Sequence, residues 1–139
     1  MAIDYGDARI GVAISDKTLQ ISGSSATIKN DRLAIEKIVK LCGDEEVTNI
    51  IIGLPINADG TMGAMCDKVQ KFGDELESFF ADGSVRIEYR DERRSTIASE
   101  NILIEANISR RKRKQFVDGL AAKIILQKFL DDFNRQPRY

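Results

Sequence analysis

The chain has 139 residues, of which 42% are hydrophobic and 31% charged, with no histidine, two cysteines and a formal net charge of −1. The length fits one domain over residues 1–139, and the apolar fraction suffices for a core, which excludes wholesale disorder. Without histidine, imidazole catalysis, Ser-His-Asp and Cys-His systems and histidine zinc sites are all excluded. Chemistry is left to carboxylates, Lys, Arg, hydroxyls or a metal held by oxygen. No apolar run approaches the ~18–20 residues of a membrane-spanning helix. Met1-Ala2-Ile3-Asp4 carries no basic n-region or apolar h-region, so a cytoplasmic protein is expected. Cys42 and Cys66 form no CxxC and read as reduced, buried thiols.

Ala2–Tyr5 and Ile10–Ser15 are β-prone runs separated by Gly6-Asp7-Ala8-Arg9, the spacing of a hairpin with a glycine turn. Leu19–Ile28 reads as a third strand with a serine-rich middle. After Asn30-Asp31, Leu33, Ile35, Ile38, Val39 and Cys42 recur at helical spacing, and Gly43 is placed to end that helix. Val47–Leu54 is almost continuously apolar and closed by Gly53 and Pro55, the pattern of a parallel strand buried on both faces. Asn57–Gly63 reads as a loop. Met65, Val69, Phe72, Leu76 and Phe79 then step by four and three along a second helix. Val85, Ile87 and Tyr89 alternate on a fifth strand that runs into Asp91-Glu92-Arg93-Arg94. A third helix is predicted from about Ser95, breaking near Asn107. A fourth, capped by Ser109, runs through Leu130, with a loose tail after Phe133. The order β-β-β-α-β-α-β-α-α implies an α/β fold, a mixed sheet with helices on its faces.

The near-zero net charge hides an asymmetry. Residues 1–89 hold nine basic and fifteen acidic side chains, whereas residues 90–139 hold twelve and seven. The second part contains the unbroken run Arg110-Arg111-Lys112-Arg113-Lys114, preceded by Arg90, Arg93 and Arg94. Two basic clusters flanking one segment point to a polyanionic partner, against the plainer reading of a solvated helix start.

Acids stand at three places where they are informative. Asp4 alternates with Ile3 and Tyr5 inside the first strand. Asp91 and Glu92 end the fifth strand, where ligand sites of open α/β sheets gather. On the last helix, Ala121, Ala122, Ile125 and Phe129 share one stripe, and Asp118 lies in its middle. A carboxylate there is either an ion pair, Arg9 being a candidate partner, or part of a site. Asp4, Asp91 or Glu92, and Asp118 come from separate elements and can converge. Three clustered carboxylates stay ionised only around a cation, and hard oxygen ligands select Mg²⁺ or Mn²⁺. Beside Arg and Lys, this is the arrangement that metal-assisted phosphodiester hydrolysis requires. The loop amides around Gly60 and Thr61 either contact phosphate or form an ordinary turn. Arg93 either holds phosphate or pairs with Asp91.

Ile3-Asp4-Tyr5-Gly6-Asp7-Ala8-Arg9-Ile10-Gly11-Val12-Ala13-Ile14-Ser15-Asp16 resembles the opening motif of the bacterial YqgF/RuvX family. Gly53-Leu54-Pro55 with Asn57 and Asp59-Gly60-Thr61 is similar to that family's central motif. Asp91-Glu92-Arg93 with Ser95-Thr96 resembles its third, and Arg113-Lys114 through Asp118 with Leu120-Ala121-Ala122 its fourth. Members of the family carry a few more residues ahead of the opening motif. The resemblance implies a ribonuclease H-like fold, with a five-stranded sheet in order 3-2-1-4-5 flanked by helices. It also implies a metal-dependent nuclease with Asp4, Glu92 (Asp91 beside it) and Asp118 as its acidic site. Arg9, Asn57, Gly60, Thr61, Arg93, Arg111, Arg113 and Lys114 would then face the substrate.

The function expected is hydrolysis of structured or precursor RNA, through processing of the 5′ end of pre-16S rRNA. One alternative is a DNA endonuclease cutting Holliday junctions, which would need two sites and hence a dimer. The other is a nucleic-acid-binding ribosome-assembly factor without turnover. Monomer and homodimer both stay open, and no membrane is involved.

Overall fold

The structure, a computed structural model, describes residues 1–92 and 110–135, with side chains of the last helix described from residue 119 onward. Strands β1 (Ala2–Tyr5), β2 (Arg9–Ser15) and β3 (Ser22–Lys29) form an antiparallel meander. Helix α1 (Ala34–Asp44) leads to β4 (Asn49–Leu54), and α2 (Ala64–Ser78) to β5 (Arg86–Asp91). Helix α3 spans Arg110–Arg135. The sheet order is β3-β2-β1-β4-β5, with β4 parallel to both β1 and β5. The expected mixed α/β sheet is therefore the observed one. The helix expected from Ser95, its break near Asn107, the Ser109 cap and Arg93 lie outside the described residues.

Side chains alternate across the sheet and divide the core in two. On one face, Ile3, Ile10, Val12, Ile50, Ile52 and Leu54 meet Ile38 and Cys42 of α1 and Cys66, Val69, Phe72 and Leu76 of α2. On the other, Ala2, Ala13 and Ile51 meet Ala122, Ile125, Leu126 and Leu130 of α3. The apolar stripe expected on the last helix is the one that docks. At an apolar transfer value of roughly 25 cal/mol per Å², the first and larger cluster supplies most of the stabilisation.

Several boundaries differ from expectation, each for a local reason. Helix α1 continues past Gly43 and closes at Glu46, which takes φ +55. The Glu46 amide donates to Gly43 O (3.4 Å) and the Val47 amide to Cys42 O (2.9 Å), so a Schellman closure forms without glycine at its left-handed position. Strand β3 starts at Ser22 instead of Leu19. Asp16 Oδ1 accepts the amides of Gln20 and Ile21 at 3.0 Å each, holding a turn in which Leu19 adopts φ +59. Helix α2 ends before Phe79, which is exposed, and Phe80, four residues on from Leu76, is buried in its place.

Candidate active site

The site follows from strand register. Ala2 pairs with Ala13 and with Ile51, and all three lie on the α3 face. Two residues further along each strand the same face carries Asp4, Gly11 and Gly53. Gly11 pairs with Asp4 and also with Thr27, and Gly53 pairs with Arg90. A lateral row therefore runs Thr27–Gly11–Asp4–Gly53–Arg90 across the sheet, with glycines on both sides of the acid. It lies near the carboxyl ends of the parallel strands, where ligand sites of such sheets form.

Glu92 stands one residue past β5. Its amide donates to Leu54 O (3.1 Å), which extends the β4–β5 ladder and fixes its position. The side chain is buried, at 8% exposure, and folds over Gly53. A Cβ at residue 53 would fall 2.6 Å from Glu92 Oε2 and 2.8 Å from Ile125 Cδ1, so only glycine leaves room for the carboxylate beneath α3. Among the described residues Oε2 meets no hydrogen-bond donor. Burial pushes the Glu92 carboxyl up to about 9; the charge of Asp4, a hydrogen bond between the two carboxyls and the charge of Asp91 push it the same way. That hydrogen bond exists only while one of the pair keeps a proton, and when both ionise no donor among the described residues satisfies Oε2.

Asp91 is exposed at the end of β5, so of the two neighbours it is Glu92 that the fold buries beside Asp4. Residue 118 lies in α3 directly before Gly119, and its side chain is outside the described set. Gly119 is buried, and a Cβ there would lie 3.6 Å from Ser25 Oγ and Thr27 Oγ1. At Gly119, α3 thus crosses close over β3, at the Thr27 end of the row. The side chains of Arg111, Arg113 and Lys114 are likewise outside the described residues. Arg9 opens β2 opposite Lys29.

The loop after β4 is a closed turn. Asn57 Nδ2 donates to Thr61 Oγ1 (3.0 Å), the Thr61 amide to Asp59 Oδ1 (2.9 Å) and the Gly60 amide to Asn57 O (2.9 Å). The bonds from Thr61 hold the Asp59 carboxyl below the usual range. Both amides considered for phosphate are engaged inside the loop, which corresponds to the ordinary-turn reading.

The donor set fits a divalent cation. It is oxygen-only, it holds a buried carboxylate oxygen without a donor, and a glycine keeps the space beside it open. Among the described residues there is no group of three metal-binding side chains, so Asp4 and Glu92 would form such a site together with a residue outside that set. A cavity of about 340 Å³ at the opposite end of the central strands, lined by Met1, Ile14, Val47 and Leu126, contains neither acid.

A five-stranded mixed sheet in order 3-2-1-4-5, with acids at the ends of its first and last strands, is the frame of a ribonuclease H-like nuclease. The sequence profile of RuvX, described as a Holliday junction resolvase, matches residues 1–132, and the chain belongs to that family. Relatives in three bacteria carry the name "Putative pre-16S rRNA nuclease". That of Halothermothrix orenii is 44% identical over 97% of this chain and 96% of its own. That of Clostridioides difficile is 42% identical over 94% and 92%, and that of Heliobacterium modesticaldum 41% over 94% and 87%. The family resemblance of the four motifs is borne out, and with it a hydrolase acting on phosphodiester bonds. No helix among the described residues is long and apolar enough to cross a membrane.

Proposed function

We infer that this chain is a single-domain, Mg²⁺- or Mn²⁺-dependent nuclease of the cytoplasm that trims the 5′ end of pre-16S rRNA. The observation that carries the metal dependence is Glu92: a carboxylate buried over Gly53, beside Asp4, with one oxygen that no donor among the described residues satisfies. Asp4 and Glu92 would hold the ion, with Asp118 as the third ligand from the helix that covers the row. When bound there, the cation supplies Lewis-acid charge to the scissile phosphate and to the attacking water. Asp4 and Glu92 serve that chemistry by being ionised together, so the proton held between them must leave before the site is competent. Gly53 leaves the room beside Asp4 that the Glu92 carboxylate occupies. The names of the relatives favour RNA. The Arg110–Lys114 run supports a polyanionic substrate of either kind.

Labelled precursor RNA, duplex DNA and four-way-junction DNA incubated with the purified chain in Mg²⁺, Mn²⁺ or EDTA test the reading. Cleavage of RNA in metal alone, abolished in Asp4→Asn and Asp118→Asn, is the expected result. Junction cleavage by a dimer would establish the DNA endonuclease, the reading that the family description favours. Tight RNA binding without turnover in any metal would establish the assembly factor. Replacing Arg111, Arg113 and Lys114 by neutral residues should lower the log–log salt slope of binding by about 0.7–0.9 for each phosphate no longer neutralised.

A further inference from the structure

Arg90 occupies the β5 end of the lateral row, level with Asp4 and separated from it only by Gly53. Strands lie about 4.8 Å apart, so the two Cα positions are two such intervals apart, with the Glu92 carboxylate and Ile125 covering Gly53 between them. Ile87 and Tyr89 point to the α1–α2 core, so alternation puts Arg90 on the face of Asp4 and Glu92.

Its present contacts are weak ones. The guanidinium lies 5.1 Å above the Phe129 ring and 3.7 Å from Glu88, beyond hydrogen-bond distance, and the side chain is 45% exposed. Arg90 and Phe129, with Lys128, Ile125, Asp91 and Asp132, line a groove of about 220 Å³ between β5, the last strand of the sheet among the described residues, and α3. The groove adjoins Glu92 through Asp91 and Ile125. Of its two acids, Asp132 lies 3.9 Å from Arg135.

We propose that Arg90 binds a backbone phosphate of the nucleic-acid strand next to the one that is cut, and that the strand leaves the carboxylates along the β5–α3 groove past Lys128. This rests on the nuclease reading above and adds a path for the substrate. A planar guanidinium forks onto two phosphate oxygens, an exchange that favours leaving a half-exposed aromatic face. Glu92 and Ile125 cover Gly53, so Arg90 would meet the nucleic-acid strand from the groove on the outer side of these two residues, not across Gly53 itself.

Binding of a short fluorescein-labelled RNA in EDTA, measured by anisotropy from low to moderate salt, tests this without requiring turnover. Arg90→Ala should weaken binding about tenfold at low salt and flatten the log–log salt slope by about 0.7–0.9. Arg90→Lys should restore the slope but only part of the affinity. Arg86→Ala, removing an exposed arginine at the other end of the same strand, should change both far less. The melting temperature of Arg90→Ala should stay within a few degrees of wild type. If Arg90→Ala keeps the wild-type slope, or weakens binding no more than Arg86→Ala, the proposal is overturned while metal-dependent cleavage by the wild type leaves the nuclease reading intact. If the wild type neither binds nor cleaves RNA or DNA, both fall together.

Discussion

Glu92→Gln keeps the shape of the side chain and removes its charge, so it isolates what the buried carboxyl does to the fold. The Glu92 carboxyl rises from an ordinary 4.5 to about 9, chiefly through burial and then through Asp4. At pH 7 without metal the native chain therefore holds a proton that the unfolded chain has released. At about 1.4 kcal/mol per pH unit, taking up that proton at pH 7 opposes folding by roughly 3 kcal/mol, an upper figure because Asp4 and Glu92 titrate as a pair. The native state binds the extra proton between 4.5 and about 9. This part of the stability is thus complete below pH 4.5 and is lost as pH rises through about 9.

The substituted glutamine would be neutral in both states, and its amide can donate to Asp4. In EDTA the variant should be more stable than wild type at pH 7 by about 1–3 kcal/mol, or roughly 3–10 °C in Tm for a chain of this size. Its stability should also fall less steeply between about pH 5 and 9. Saturating Mn²⁺ should reverse the order, since an ion bound only to the native wild type adds about 2.7 kcal/mol at a hundred times its Kd. Calorimetric or fluorescence melting in EDTA and in Mn²⁺ across that pH range measures all three. A Glu92→Gln variant that melts below wild type in EDTA, with the same pH slope, would refute the buried unsatisfied carboxylate.

Three further substitutions follow from the geometry. Gly53→Ala would place a methyl 2.6 Å from Glu92 Oε2, so it should cost about 1–3 kcal/mol and abolish the Mn²⁺ shift in Tm. Glu46→Gly, at φ +55, should raise stability by about 1 kcal/mol, read as a higher urea midpoint at unchanged m-value. Gly73→Ala should destabilise despite the better helix propensity of alanine, because its Cβ would meet the Tyr89 hydroxyl at 2.0 Å; Tyr89→Phe should recover part of the loss in a double-mutant cycle.

What the sequence disclosed and what it withheld divide along physical lines. β1 was legible to the residue, since Ala2 and Ile3 are apolar and the Gly6 turn bounds the run. The last helix was legible as a docking stripe through Ala122, Ile125 and Phe129, whereas Leu126 and Leu130, which also dock, lay outside the expected stripe. The close of α1 at Glu46 was not, because a left-handed glutamate contradicts local preference and is imposed by the Val47–Cys42 hydrogen bond. The exchange of Phe79 for Phe80 was hidden because both fit a helical step, and only the packing under α2 chooses between them. At the site, Asp4 and Glu92 stood out as acids in or beside strands. The part of Gly53 did not, since it depends on how closely Glu92 and Ile125 approach from two other elements. Likewise the closed Asn57–Asp59–Thr61 turn was open in the sequence, because Asx bonding and phosphate binding draw on the same residue types.

The two faces of the sheet explain why the acids sit where they do. Toward α1 and α2 the strands offer isoleucine, valine and leucine, and this layer is thick and apolar. Toward α3 the central strands offer Ala2 and Ala13, met by Ala122, so the helix can lie close. One step along the strands, the alanine level gives way to the Gly11–Asp4–Gly53 level, and side-chain volume falls again just where the charges begin. A close helix over Gly53 buries the Glu92 carboxylate, and burial raises the proton affinity of that acid. The thick layer can carry the stability of the fold, which frees the thin one to hold two like charges that oppose it. Cation binding would turn that opposition into affinity, because the free energy that repels Asp4 from Glu92 without metal is released when a positive charge comes between them.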